Sequence, residues 1–337
     1  IAKKRLSKKR IFVYEYPRHT HEGLYIVTGN LPHDAKNTSK QMKLFSNKIQ
    51  TIVSKKKMKL YCDNYIKNIL SNKFHKVEQQ LFHMKIKDNK LPNNFNKNDY
   101  NIAIFLTSEH ERAYLNEFTE NFPFKRQVDA VKYIADNLPN KYRKKLIKIY
   151  LRLHPGDLAT KNETLKELNN RKYRNLIVIP PDDNIDSHYL GLNSDLTITT
   201  GSSMAANLTY CKKKVINIGA SLAESFKIYN HIYRKKELLN TILHDIKNNR
   251  NILKKINIDE TILYLYSRSK FNSKSVYFKS KNFRDERFVI RGKSYNLRSS
   301  FFINYLYLLF RIIGKIIPYY KGSFLKKSIN EYYVNDR

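Results

Sequence analysis

An α/β fold built on a parallel sheet is the fold class that this sequence predicts, and two observations in the middle of the chain predict it. Short apolar runs of strand length recur there, bounded by turn-forming residues. Between these runs lie segments whose apolar residues recur at helical spacing. Strands and helices that alternate in this way form right-handed βαβ units, with helices on both faces of a parallel sheet. We therefore expect a Rossmann-type domain in the middle of the chain.

The elements of this domain are predicted from the same pattern. Strands are predicted over residues 101–106, 146–153, 175–179, 195–199 and 215–218. Helices are predicted over residues 126–138, 161–173 and 203–211. Pro139 ends the first of these helices, and Pro180 closes the third strand, because proline interrupts the backbone hydrogen bonding of both elements.

The regions on either side are less regular, and they set the predicted domain boundaries. Before the domain we predict strands at 11–16 and 24–28, helices at 40–57 and 64–78, and a linker rich in Lys and Asn at 87–100. After residue 227 the pattern becomes helical and then basic and aromatic. We predict three regions: an N-terminal acceptor-side region at 1–95, the Rossmann-like domain at 96–230, and a helical, basic, aromatic-rich region at 231–337. The first region has too few residues for a complete second Rossmann domain.

The charge of the chain limits its partners. Lys and Arg number 64 against 29 Asp and Glu, which gives a formal net charge of +35. Such a chain attracts anions, whether phosphodiesters, anionic lipids or phosphorylated small molecules, although part of the lysine excess reflects a composition dominated by Lys, Asn, Ile and Tyr. The two cysteines have no CxxC spacing, and no apolar run comes after the first basic residues. These features predict a cytoplasmic protein without a disulfide framework, structural zinc or a secretory signal in the residues given.

A basic, apolar segment near the C-terminus predicts contact with a membrane surface. The apolar run at 301–310 has about half of the roughly 20 residues that a membrane span requires, and Arg311 and Lys315 interrupt its continuation. Bulky apolar side chains surrounded by Lys and Arg are typical of an interfacial helix. We therefore expect residues 298–327 to contact anionic lipid and to place the protein peripherally on the inner face of the cytoplasmic membrane. The alternative is that this helix packs on the domain.

The junction between the fourth predicted strand and the next helix has the residue types of a phosphate-binding turn. Gly201 allows close approach of the backbone, and Ser202 and Ser203 supply two hydroxyl donors. The next helix presents free N–H groups and the positive end of its dipole. The alternative is a serine that caps the helix after a tight turn.

A second polar group lies at the end of an earlier strand. His154 and Pro155 end the strand at 146–153, and the proline fixes the backbone where the imidazole emerges. The histidine can donate a hydrogen bond to a phosphate, or a backbone carbonyl can satisfy it. Arg152 is expected to add positive potential at the same place.

Taken together, the order of these motifs resembles the donor-binding half of the GT-B glycosyltransferases of bacterial surface polysaccharide synthesis. The resemblance covers residues 100–225 and is carried by the segments 107–111, 124–127, 152–155, 195–203 and 215–219, with Tyr210. The His-Pro and Ser-Ser pairs resemble those of the CMP-sugar-dependent Kdo transferases and sialyltransferases, while UDP-sugar and CDP-glycerol enzymes carry similar signals. The predicted fold is thus GT-B-like: a Rossmann-type domain with an incomplete or reduced N-terminal domain and a basic helical C-terminal tail.

The resemblance also implies roles for residues of this chain. It implies that His154, Ser202 and Ser203 hold the donor phosphate. The other donor-site candidates are Thr107, Ser108, Arg152, Pro155, Gly201 and Asn207. Many relatives have Glu-Ala at the positions of Asn207-Leu208, and an asparagine can still hydrogen-bond a ribose hydroxyl.

Activation of the acceptor requires a base, and three residues are candidates. Glu109 and Glu111 come after the first strand of the domain, and His21 lies in the N-terminal region. No Asp-x-Asp pair stands at a metal-binding position, so we predict no metal and no cofactor, with the nucleotide-sugar as a substrate.

The sequence supports three hypotheses of function. The first is a glycosyltransferase that moves a sugar from a nucleotide-activated donor to a lipid-linked or polysaccharide acceptor. The second is a degenerate GT-B-like binding subunit, suggested by Asn207 and the N-terminal region. The third is a nucleic-acid-binding protein, suggested by the charge and by 25 Tyr and 18 Phe. Because no RRM, KH or zinc signature occurs and the lysines are spread along the chain, nucleic acid is not an expected partner.

Overall fold

The fold is that of a computed structural model, which describes residues 35–71, 89–108, 122–154, 165–168, 173–248 and 256–271 and the backbone of four further strands. Two of those strands, β1 (Phe12–Glu15) and β2 (Tyr25–Thr28), pair with each other near the positions that the sequence predicts.

Fifteen elements follow one another through the central part of the chain that the structure describes. They are α1 (Ala35–Ile52), α2 (Lys55–Leu70), β3 (Tyr100–Phe105), α3 (Gln127–Asn137), β4 (Lys141–Tyr142), β5 (Lys145–Arg152), β6 (Leu176–Ile179), α4 (Ser187–Asn193), β7 (Leu196–Thr199), α5 (Met204–Tyr210), β8 (Val215–Ile218), a 3₁₀ turn (Glu224–Phe226), β9 (Asn230–Ile232), α6 (Lys235–Asn248) and α7 (Ile258–Lys270). The remaining pair, β10 (Arg287–Ile290) and β11 (Lys293–Asn296), is an antiparallel hairpin.

Strands β3 to β9 form one seven-stranded sheet. Its order is β4-β5-β3-β7-β8-β9, and β6 also pairs with β5. All pairs are parallel except β4 with β5, which closes a short hairpin. When the parallel strands are numbered from β3, their order is 3-2-1-4-5-6, the order of the doubly wound Rossmann fold. The predicted α/β class and Rossmann-type parallel sheet are confirmed.

Alternating side chains of the strands fill two separate apolar cores, one on each face of the sheet. Ile102 and Ile104 of β3 face the core that α3 and α6 cover. Ala103 and Phe105, their neighbours in sequence, face the core to which α4, α5 and α7 contribute. Because successive strand residues point to opposite faces, a strand covered on both sides is apolar throughout, which is why β3 was predictable as a continuous run.

Several elements differ from the sequence prediction. The structure ends α1 at Ile52 and begins α2 at Lys55, because the side chain of Ser54 accepts a hydrogen bond from the Lys57 amide and caps α2. The prediction ran one helix through this break, since lysines continue a helical pattern without interruption. Helices α4 and α7 and strands β4, β9, β10 and β11 were not predicted, and β10 and β11 lie in the region at 231–337 that was predicted to be helical. In α7 every residue from Thr261 to Ser267 is buried, so the helix has no polar face that periodicity could reveal.

The helices before and after the sheet belong to the same compact unit as the sheet. Residues 1–14 and 26–271 form this unit, and residues 15–25 with 272–337 form a second. Helices α1 and α2 pack against α7 within the first unit, and the predicted boundaries at 95 and 230 stay a prediction. The segment 298–327 lies outside the described residues, and within the described ranges no helix has the length and apolarity that a membrane span needs.

Replacing Gly191 by alanine is expected to destabilise the contact between α4 and α5. A Cβ atom at this position would lie 2.6 Å from Cδ1 and 2.9 Å from Cδ2 of Leu208, a side chain buried in the core. Overpacking of this kind costs about 1–3 kcal/mol of the free energy of unfolding, which denaturant titration measures. In a Leu208→Ala background the same change is expected to cost less, and an equal cost in both backgrounds would contradict this contact as the cause.

Candidate functional site

The carboxyl ends of three neighbouring strands form the candidate site. The parallel register places Arg152 of β5 beside Phe105 of β3, and Phe105 beside Thr199 of β7. The chain reverses its winding between β3 and β7, and doubly wound sheets bind ligands in the crevice at this switch point. Neighbouring strands lie about 4.8 Å apart, so the ends of β5 and β7 lie within about 10 Å of each other. His154, Thr107 and Gly201 therefore leave the sheet at the same edge.

A buried glutamine joins the ends of β3 and β7. Oε1 of Gln127 accepts hydrogen bonds from the Thr107 amide at 3.1 Å and from the Thr200 hydroxyl. Nε2 of Gln127 donates to the Thr107 carbonyl oxygen at 2.9 Å, and the Thr107 hydroxyl donates to Gln127 at 3.1 Å. The polar groups of Thr107 thus fix the loop after β3 against α3 and the end of β7. Gln127 lies in the segment 124–127, which carries the family resemblance, but the sequence alone indicates no role for it.

A buried asparagine joins the ends of β7 and β8 in the same manner. Oδ1 of Asn217 accepts from the Gly201 amide at 2.7 Å and from the Thr199 hydroxyl at 2.9 Å. Its Nδ2 donates to the Gly219 carbonyl oxygen at 2.8 Å. Gly201 has a φ of 101°, which lies in the left-handed region that favours glycine. Asn217 therefore fixes the turn that leads into the two candidate serines, a role that its place inside a strand did not reveal.

The two serines differ in their environment. Ser202 is half-buried, and its hydroxyl oxygen accepts a hydrogen bond from the Met204 amide at 3.3 Å. Ser203 is exposed, takes the N-terminal capping position of α5, and makes no side-chain capping bond. Ser203 therefore does not make the capping bond that the sequence left as the alternative, and the Ser202 hydroxyl, one residue before the capping position, accepts from the first amide of α5. The hydroxyl of Ser203 faces solvent at the start of the helix.

Arg152 holds a loop of the protein. Its guanidinium donates to the carbonyl oxygens of Pro180 and, at 3.0 Å, of Asp183. The residue is 3% exposed, and this burial lowers the pKa of Arg152 to about 10, against the opposite effect of Asp183. The sequence predicted a positive charge available to a phosphate, whereas the guanidinium binds the loop between β6 and α4.

Asn207 and His188 form a polar contact between α5 and α4. Nδ2 of Asn207 lies 3.4 Å from Nε2 of His188, and Oδ1 of Asn207 is buried without a hydrogen-bond partner. Buried polar atoms are nearly always hydrogen-bonded, so this unpaired amide oxygen, one turn after Ser203 in α5, is an exception. His188 carries no sequence signal, because α4 itself was not predicted.

A third polar network lies beyond the end of β8. The Ser221 hydroxyl lies 2.8 Å from Nε2 of His231 and 3.0 Å from the Tyr229 hydroxyl. Burial raises the pKa of Tyr229 above its ordinary range. The Ser221 side chain also accepts from the Ala223 amide, so its atoms serve the loop after β8.

Among the remaining candidate residues, Ser108 is buried beside Thr107. Pro155, Glu109, Glu111 and His21 lie outside the described residues, so the predicted acceptor base is not placed. Across the described ranges, no three His, Cys, Asp or Glu side chains group as a metal site, and the absence of a metal requirement stays a prediction.

These observations define the class of the molecule: a doubly wound α/β protein with a cluster of polar residues at its switch point. Neither a scan against protein-family models nor a search of curated proteins finds a match. Among solved structures, the chain is similar to the beta Kdo 2,4 transferase KpsC of Thermosulfurimonas dismutans, at 15% identity and a TM-score of 0.35, covering 70% of this chain and 62% of that one.

Two further solved structures share this level of similarity. The wall teichoic acid polymerase TagF is 18% identical over 53% of this chain and 39% of its own, with a TM-score of 0.30. The UDP-GlcNAc 2-epimerase of Methanocaldococcus jannaschii, solved with UDP-GlcNAc and UDP, is 15% identical over 58% of this chain and 51% of its own, with a TM-score of 0.31.

Proposed function

We propose that this chain is a glycosyltransferase that moves a sugar from a nucleotide-activated donor, a CMP- or UDP-sugar, to a lipid-linked or polysaccharide acceptor. The observation that carries the proposal is the convergence of His154, Thr107 and the turn at Gly201 on the switch point of the sheet. In the cell it acts in surface polysaccharide synthesis, at the inner face of the cytoplasmic membrane.

The chemistry of the proposed reaction depends on the charge of the leaving group. Breaking the bond between sugar and nucleotide leaves negative charge on a phosphate oxygen. The hydroxyls of Ser202 and Ser203 and the imidazole of His154 stabilise this charge as it develops, and Gly201 lets the backbone approach it. One of Glu109, Glu111 and His21 accepts the proton of the acceptor hydroxyl. No step requires a metal ion.

The two buried amides supply the rigidity that this chemistry requires. Donors stabilise a transition state best when they are oriented before the reaction, because no reorganisation is then needed as the charge develops. Gln127 fixes the loop after β3, and Asn217 fixes the turn after β7. Both amides are fully buried, so water does not compete for their hydrogen bonds.

The double substitution Ser202→Ala/Ser203→Ala is expected to lower turnover at least about 100-fold, since removal of one such donor typically costs 10²–10³ in rate. The measurement is hydrolysis and transfer with CMP-, UDP-, GDP- and CDP-activated sugars, in the presence and absence of EDTA. A matched control, Thr51→Ala/Thr241→Ala, removes two exposed hydroxyls that bond only to backbone carbonyls of their own helices. Failure of every donor to bind or react would remove the proposal.

A second candidate function is a nucleotide-binding subunit without transfer activity. Asn207 favours it, since an amide stands where many GT-B relatives have a glutamate, and its Oδ1 is unpaired. This candidate would be supported over the first if the chain binds one of the nucleotide-activated sugars without turning it over. Asn207→Ala would then weaken this binding, and the control Thr51→Ala/Thr241→Ala would leave it unchanged. An epimerised free sugar or nucleotide-sugar product would exclude both.

A further inference from the structure

Helices α1 and α2 carry an exposed surface that the proposed reaction does not use. Residues 35–71 include nine lysines, one aspartate and no arginine. Leu44, Ile52 and Leu60 are 66%, 79% and 60% exposed. Exposed aliphatic side chains are common singly, but here they recur within one strongly basic pair of helices.

Apolar and basic residues alternate at every fourth position along these helices. Leu44, Lys48, Ile52, Lys56 and Leu60 succeed one another at intervals of four, across the break at Ser54. Residues four apart in a helix share one face. The opposite face of each helix is buried, through Met42 in α1 and Met58 and Cys62 in α2. The alternating row, which we call the α1–α2 surface, therefore belongs to the outward side of both helices.

Most of the positive charge on these helices is unneutralised. Lys43 pairs with Glu260 at 2.6 Å, Lys55 with Asp259 at 2.7 Å and Lys59 with Asp63 at 2.7 Å. Within the part of the chain that the structure describes, the remaining lysines make no ion pair: Lys36, Lys40, Lys48, Lys56, Lys57 and Lys67. The α1–α2 surface thus combines lysines that make no ion pair with aliphatic side chains that lose water on contact with an apolar phase.

We propose that the α1–α2 surface docks on an anionic lipid surface, with Ile52 and Leu60 entering the interface between headgroups and acyl chains. Lysine suits this arrangement because its aliphatic stem lies along apolar groups while its ammonium reaches the lipid phosphates. Single-stranded nucleic acid is bound through stacking on aromatic rings and arginine. The exposed residues of these two helices include neither, so charge complementarity and aliphatic exposure together favour lipid.

The position of α1 connects this surface with the candidate site. The Ser39 hydroxyl accepts a hydrogen bond at 2.8 Å from the Ser225 amide, in the loop region after β8 at the carboxyl edge of the sheet. At 1.5 Å per residue, Ile52 lies about 20 Å from Ser39 along the helix. Docking through α1 and α2 is a lipid contact separate from residues 298–327, and it does not depend on the donor or on turnover.

The first test measures binding of the full chain to vesicles of equal parts phosphatidylglycerol and phosphatidylcholine, with pure phosphatidylcholine for comparison. Replacing Lys48 and Lys56 of this surface together with their exposed neighbour Lys57, as Lys48→Gln/Lys56→Gln/Lys57→Gln, is expected to weaken binding to anionic vesicles roughly 100-fold, since each lysine near such a surface contributes about fivefold. The matched control, Lys141→Gln/Lys144→Gln/Lys145→Gln, removes the same charge from exposed positions around β4 and is expected to retain most of the binding. Equal loss in both variants would overturn the proposal in favour of attraction by net charge alone.

The second test measures insertion and uses the absence of tryptophan from the chain. Ile52→Trp introduces a single reporter, whose emission is expected to shift to shorter wavelength on anionic vesicles and to be quenched by brominated acyl chains. Leu146→Trp, at a position 46% exposed beside the control lysines, is expected to show neither effect. The proposal would be overturned if the emission of Ile52→Trp did not shift while the protein is bound to vesicles.

The same variants separate lipid from other polyanions. Circular dichroism and the thermal unfolding midpoint establish that each variant is folded. If the Lys48/Lys56/Lys57 variant binds vesicles as well as the parent but loses affinity for single-stranded RNA, the surface binds nucleic acid and the proposal is wrong. Vesicle binding that persists when donor turnover is absent supports docking independently of the proposed function.

Discussion

Replacement of Asp245 by alanine is expected to lower the free energy of unfolding by about 3 kcal/mol, near the lower end of the range for breaking a buried ion pair. The Asp245 side chain is 1% exposed and accepts hydrogen bonds from Lys214 at 2.8 Å and from the Tyr100 hydroxyl. It thereby ties α6 to β3 and to the start of β8. The expected loss of stability lies near the lower end of this range because Lys214 is 21% exposed and reaches water once its partner is removed.

The exposed pair of Lys55 and Asp259 is the matched control for this prediction. Its nitrogen–oxygen distance is 2.7 Å, almost that of the buried pair, but its side chains are 68% and 64% exposed. Exposed pairs contribute about 0–1 kcal/mol, so Asp259→Ala is expected to shift the denaturation midpoint little. Equal shifts for Asp245→Ala and Asp259→Ala would show that burial does not set the strength of these pairs.

The same cluster predicts how stability depends on pH. Burial, together with the negative charge of Asp245, raises the pKa of the Tyr100 hydroxyl above its ordinary range. The unfolded chain releases this proton near pH 10, where the folded chain retains it. The stabilisation from Tyr100 is therefore fully present below about pH 10 and is lost as the pH rises further, and Tyr100→Phe removes this part of the alkaline loss.

The central sheet was predictable because its strands are buried on both faces. Residues 102–105 of β3 are entirely buried and therefore appear as an uninterrupted apolar run, whereas β8 is equally buried and contains Asn217 among its apolar residues. Helix α4 was missed because it has seven residues and includes Gly191, which is typical of a turn. Its N-cap, Asp186, accepts a hydrogen bond from the Tyr189 amide and is the signal that could have located the helix.

The sequence places candidate groups at strand ends but does not reveal the side chains that support them. His154 and the turn at Gly201 are candidates because each comes directly after a predicted strand. The direction of a polar side chain at a strand end depends on tertiary partners, so the binding of Arg152 to Pro180 could not be inferred from its neighbours in sequence. Gln127 and Asn217 act across residues far apart in the chain, and each appears in the sequence as one polar residue within a helix or strand.

Replacement of Asn217 by leucine is expected to lower the free energy of unfolding by about 3–4 kcal/mol and to weaken donor binding at least about tenfold. Four groups lose their partner: the Thr199 hydroxyl, the Gly201 amide and the carbonyl oxygens of Gly219 and Ala220. Each buried group left unpaired costs about 1–3 kcal/mol, reduced where water enters. Because the Gly201 amide fixes the turn before Ser202, the loss also loosens the proposed phosphate contact.

Thr197 of β7 is the matched control, because it is another fully buried polar residue of the sheet but its hydroxyl has no hydrogen-bond partner. Removing a hydroxyl that makes no hydrogen bond leaves no partner unpaired, so Thr197→Val is expected to leave stability unchanged or to raise it. Denaturant titration and nucleotide titration calorimetry measure the two effects separately. An Asn217→Leu protein as stable as Thr197→Val would show that the four hydrogen bonds do not hold the edge of the sheet, and unchanged donor binding in a destabilised Asn217→Leu protein would separate this asparagine from the proposed site.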